Sequence, residues 1–66
     1  MELFDCVKLI KPFGQLNIGT KGAIVEKYDN SNFEVEFVDE HGNTIDVCTI
    51  SSDYIEVYWK ETIQKK

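Results

Sequence analysis

Residues 33–38, Phe-Glu-Val-Glu-Phe-Val, alternate apolar and acidic side chains without a break. Only a β-strand, with its two-residue period, puts Phe33, Val35 and Phe37 on one face and Glu34 and Glu36 on the other. A helix would scatter the same residues around its axis. The rest of the chain is read from this strand outward. Asp29-Asn30-Ser31-Asn32 before it and Asp39-Glu40-His41-Gly42-Asn43 after it are clusters of turn-forming residues. They are flanked by two further strand-like runs, 23–28 (AIVEKY) and 44–50 (TIDVCTI). Residues 5–11 (DCVKLIK) make a first strand with Val7 and Leu9 on one side, and residues 55–59 (IEVYW) a last one, inward at Ile55, Val57 and Trp59. Between the first two strands, residues 12–22 hold the only proline and three of the four glycines, which predicts a long turning loop. Ser51-Ser52-Asp53-Tyr54 suits a single helical turn with a serine cap.

Turn chemistry sets an expected register for the second hairpin. With Gly42 in the left-handed position of a three-residue loop, Asp39 faces Asn43. Phe37 then opposes Ile45, Val35 opposes Val47, and Cys48 points outward across from Glu34. A slip of one residue would bring Asp46 opposite Phe37 on the buried face. The favoured register sets Glu36 opposite Asp46, a like-charge pair that opposes folding.

Five short strands, a long first loop, two tight hairpins and a helical turn before the last strand form the layout of a small all-β, SH3-like barrel. An OB-like barrel is the alternative, but the helix it carries between its third and fourth strands has no counterpart here. Closure of the sheet would remove edges that invite aggregation. The expected organisation is one barrel domain over residues 1–60 and a frayed polar tail over 61–66. At 66 residues and 7.6 kDa, a domain of this kind buries only ~60% of its unfolded surface, so its stability margin is thin.

Charge narrows the partners. Twelve acidic residues face seven lysines and no arginine, a net charge of −5. Residues 26–56 hold nine of the acids and one lysine. A field of that sign repels nucleic acid, whose binders draw affinity from cations, and attracts a basic protein. No apolar run approaches the ~20 residues of a membrane helix, and the first five residues are acidic where a signal peptide is basic. The expectation is a cytoplasmic protein.

Chemistry-bearing residues are sparse. Cys6 and Cys48 lack metal or redox spacing; a disulfide between them requires neighbouring strands. His41 lies in a hairpin loop, which places it poorly as a catalytic base for Cys48. Glycines 14, 19 and 22 match no phosphate-binding loop. The expectation is a non-enzyme without cofactor or metal. The candidate partner-binding residues are Glu34, Glu36 and Asp46 on the acidic strands, with Tyr54 and Tyr58 as candidate exposed aromatics. Alternation cannot bury both Tyr58 and Trp59.

The run Leu3-Phe4-Asp5, Val7, Leu9, Gly19-Thr20-Lys21-Gly22, Ile24-Val25-Glu26, Tyr28, Phe33 to Phe37, Asp39, Gly42 and Thr44 resembles a family of small bacterial proteins known as domain of unknown function 4926. Its most specific stretch lies at 35–44. The resemblance implies an SH3-like fold and supplies no catalytic residue. Its members look like lone small genes, some beside other small genes as in toxin and antitoxin or effector and immunity pairs; joined to the acidic segment, that gives the expectation of a protein-binding module that inhibits a basic partner. Residues 19–25 are also similar to the KOW motif of ribosomal and transcription proteins. That implies the alternative, a nucleic-acid or ribosome-associated domain served by Lys8, Lys11 and Lys21.

Overall fold

The computed structural model describes residues 1–59; the predicted tail at 61–66 lies outside them. Five antiparallel strands run β1 (Cys6–Leu9), β2 (Lys21–Lys27), β3 (Asn32–Val38), β4 (Thr44–Ser51) and β5 (Ile55–Trp59), with a 3-10 turn at Ser52–Tyr54 before the last. They form one sheet in the order β4-β3-β2-β1-β5. The predicted all-β architecture is present, and β5 returns beside β1. The sheet is not closed: β4 and β5 end it as two separate edges.

The turns form for the reasons their residues suggest. Asp29 accepts the backbone N–H groups of Ser31 (2.7 Å) and Asn32 (2.8 Å), joining β2 to β3. Asp39 accepts those of His41 (2.8 Å) and Asn43 (2.9 Å), and Gly42 takes φ 87° as the three-residue loop requires. The Ser51 hydroxyl caps the 3-10 turn by accepting the Asp53 N–H at 3.2 Å. The long loop is pinned at its base, where Leu9 and Gly19 donate to Thr20 and Leu9 carbonyls at 2.9 and 2.8 Å. Its tip folds on itself through paired bonds between Phe13 and Leu16.

The core consists of Val7, Leu9, Ile24, Phe33, Val35, Phe37, Ile50 and Ile55, all essentially inaccessible. Each such side chain contributes about 1.5–3 kcal/mol by leaving water. Gly22 makes the centre of the sheet possible. It lies buried in β2, opposite Phe37 on β3 and Val7 on β1, so it is a strand residue and not the loop end predicted for it. A Cβ there would stand 2.5 Å from the Glu36 carbonyl oxygen. Only glycine lets β2 and β3 come this close.

Three β-bulges shape the sheet. Each inserts one unpaired residue and reverses the inside-outside alternation beyond it. Val25 is the extra residue between β2 and β3, Ile45 between β4 and β3, and Tyr58 between β5 and β1. The bulge at Ile45 corrects the predicted register. Asp39 pairs with Asn43 and Val38 with Thr44 as the turn dictates, but Phe37 then opposes Asp46, Val35 opposes Cys48 and Phe33 opposes Ile50. The shifted alternation carries Ile50 into the core, where the predicted register would have put it on the outer face. Asp46 bears little desolvation cost because this end of β4 projects past the core into solvent. Ile45 and Val47, expected inside, are 49% and 48% exposed. The bulge at Tyr58 likewise brings Trp59 opposite the outward Cys6 and leaves it exposed.

Candidate functional site

The outer face of the sheet is electrostatically divided. Toward β1 and β5 it carries Lys8 and Lys21, directly opposed across the β1–β2 pair. Lys8 pairs with Glu56 at 3.5 Å, and the Lys21 ammonium sits 5.2 Å from the centre of the Tyr58 ring. Toward β3 the face turns acidic. Glu34 and Glu36 project there from β3, and Glu26 lies opposite Glu34 across the bulge at Val25. Besides the opposed lysines, the sheet therefore does hold an acidic like-charge pair, but it is Glu26 with Glu34, not the predicted Glu36 with Asp46.

Neutral hydroxyls hold two of these carboxylates. Glu34 accepts from the Tyr28 phenol at 3.2 Å and from Thr49 at 2.7 Å, while Glu36 accepts from Thr44. Partial burial, followed by the charges of Glu34 and Glu26, pushes the Tyr28 phenol above its ordinary value. Among the described residues the ion pairs are Lys8 with Glu56, Lys27 with Glu2 and His41 with Glu40. None of them involves Glu26, Glu34 or Glu36. These three side chains face outward without a cationic partner, and the hydroxyls restrict how two of them can move.

Of the predicted site residues, the structure brings together Glu34 and Glu36 only. Asp46 belongs to the opposite side of β4. Its carboxylate accepts the N–H of Val47 at 2.9 Å and lies beside Cys48. Tyr54, half-buried, packs edge-to-face on Phe13 with ring centres 5.4 Å apart, beneath the Lys11 ammonium. It joins the long loop to the 3-10 turn. Tyr58 is 45% exposed on the basic side, well separated in strand order from β3.

Alternation along β2 missed Glu26, because the bulge at Val25 brings it to the outer face. A second feature was also missed. Ile18 and Thr20 from the long loop, Lys21 at the start of β2, and Val38, Asp39, Glu40 and Ile45 from the β3–β4 hairpin line a groove of about 460 Å³.

The cysteines are free. Two strands separate β1 from β4, roughly 14 Å along a sheet, and Cys6 faces outward while Cys48 packs on the core. An intrachain disulfide is excluded by that placement. Burial, with Asp46 adding to it, pushes the Cys48 thiol up to about 11, so the group stays protonated at neutral pH. Among the described residues no three His, Cys, Asp or Glu side chains converge as a metal site requires, and no helix is long and apolar enough to cross a membrane.

Residues 3–57 match the family described as domain of unknown function DUF4926. The chain belongs to this family. The match runs from the N-terminal turn almost to the end of β5, so it includes all the acidic strands and the groove. No curated protein and no solved structure matches the chain. The DUF4926 assignment thus covers the fold as a unit. Within residues 19–25, Ile24 enters the core and Gly19 takes the positive φ of a turn, at 93°, whereas Gly22 serves the strand interior.

Proposed function

We propose that this DUF4926 protein is a non-catalytic binding module whose acidic outer face, built from Glu26, Glu34 and Glu36, engages a basic protein partner. An inhibitor or immunity-type antidote is the form of that role that suits a small acidic domain. One observation carries the reading: three outward carboxylates stand together, two of them held by hydroxyls and none paired with a lysine. A surface acid kept for solubility alone has no need of a like-charge neighbour, and a cross-strand pair such as Glu26 with Glu34 lowers stability. Preorganised carboxylates of one sign raise the rate at which an oppositely charged protein docks.

The alternative, a KOW-like domain that binds nucleic acid, draws on Lys8, Lys11 and Lys21. Each of these cations is engaged within the fold, by Glu56, Tyr54 and Tyr58 respectively. They offer no open row of charge to a phosphate backbone. The distinguishing experiment is affinity purification of the tagged chain from its native cell, with nuclease treatment as a control. A basic protein that persists after nuclease supports the proposal. Ribosomal material or RNA that nuclease removes would favour the alternative.

A further inference from the structure

The groove beside the acidic face gives the partner a more definite chemistry. Its floor is aliphatic: Ile18, Val38 and Ile45 line it, with Ile18 63% exposed. Ile45 is the bulged residue of β4, and Val47 continues the apolar surface along the same strand. Exposed branched side chains clustered around one concavity, on a domain with few apolar residues to spare, mark an interaction site more than scattered surface residues do. The rim is acidic. Asp39 is fixed by the hairpin turn, and the backbone N–H groups it accepts hold its carboxyl below the ordinary carboxylate range, so it is ionised at neutral pH. Glu40 stands next to it, and Glu36 lies one strand step away on the same outer face. The cation of the lining, Lys21, has its ammonium over the Tyr58 ring.

We infer that this groove receives an extended segment of the partner in which an aliphatic side chain, seated between Ile18 and Ile45, is flanked by lysine or arginine residues that meet Asp39, Glu40 and Glu36. The inference rests on the binding-module reading above and specifies where and how the partner docks. Charge selects this occupant. A second copy of the chain, itself −5, would bring the same acidic rim against its own likeness. An uncharged apolar segment would leave the rim carboxylates without a counterpart.

The test uses the full-length chain, labelled with nitrogen-15, and three short synthetic peptides. One alternates lysine with isoleucine, one lysine with serine, and one glutamate with isoleucine. The lysine–isoleucine peptide should move the amide signals of residues 18–21, 38–40 and 45. The other two should bind at least about tenfold more weakly. Ile18→Ser and Ile45→Ser, both at exposed positions, should keep a folded spectrum and lose at least about fivefold in affinity for the lysine–isoleucine peptide. Equal binding of the two lysine peptides, with shifts centred on residues 26, 34 and 36, would overturn the groove and leave the acidic-face reading standing. No binding of either lysine peptide would overturn both. Binding of the glutamate peptide as tightly as the lysine–isoleucine one would overturn the charge selection. Concentration-dependent dimerisation of the free chain that Ile45→Ser abolishes would assign the groove to a second copy and overturn the proposal.

Discussion

Gly22 shows how much of this fold can depend on one missing side chain. Its neighbours on β1 and β3 are core residues, and the nearest obstacle to a Cβ is a backbone carbonyl, which cannot rotate aside as a side-chain tip can. Gly22→Ala should therefore cost about 1–3 kcal/mol, seen as a lowered midpoint in denaturant with an unchanged slope. An unaltered midpoint would mean that β2 and β3 can separate without loss. The glycines at 19 and 42 are a different matter, since their positive φ values answer to turn geometry and a side chain at either would meet nothing within 4 Å. Among the described residues Phe4 is the non-glycine one with positive φ, at 69°, and it is exposed. Its conformation is held by its N–H, which donates to the Ile24 carbonyl at 2.7 Å, and by the buried Asp5, whose carboxylate accepts the N–H of Glu2 at 2.9 Å.

At the scale of elements, the strands were legible because alternation and turn chemistry agree with each other. Val7, Leu9, Ile24, Phe33, Val35, Phe37 and Ile55 all lie inside as their period predicts. The loop Glu40-His41-Gly42 takes the conformation its glycine demands. The bulges were not legible, because a strict two-residue period has no way to mark an extra residue. Each hidden bulge displaced a particular group: Ile45 and Val47 went outward, Cys48 and Ile50 inward, and Trp59 to the surface. Ile50 was the available clue, since the unbulged register would have left it on the outer face, the side of the β3 glutamates. The same lapse moved the acidic like-charge pair from Glu36 and Asp46 to Glu26 and Glu34, so Glu34 and Glu36 share the outer face while Asp46 leaves it and Glu26 joins it. One comparison checks the register. Ile50→Ala should cost about 2–5 kcal/mol, whereas Ile45→Ala should change stability by no more than about 0.5 kcal/mol. The reverse ranking in thermal or urea melts would restore the unbulged hairpin.

For the whole molecule, charge sets both the response to acid and the choice of partner. Asp29 and Asp39 hold the two hairpin turns by accepting backbone N–H groups, and those bonds lower both carboxyls from the ordinary value of 3.8. A carboxyl lowered in the folded state adds stability that is complete above its unfolded value and disappears as the pH falls through the folded one. Melting temperature should therefore fall on acidification from pH 3.8 downward. Asp39→Asn should lower it at neutral pH and make the acid limb of the profile shallower. An acid limb identical to wild type would show that the Asp39 turn does not contribute.

The central claim is that the outward carboxylates recruit a basic protein, and the association rate tests it most directly. The native partner, once captured and purified, would be mixed with wild type and with the Glu34→Gln/Glu36→Gln double variant at low and high salt. Glutamine can still accept the hydroxyls of Tyr28, Thr49 and Thr44, so the fold should be retained while the charge is removed. The double variant should associate about tenfold or more slowly at low salt, and the difference should shrink at high salt as screening sets in. Equal association rates at low salt, for two proteins of equal stability, would contradict the claim.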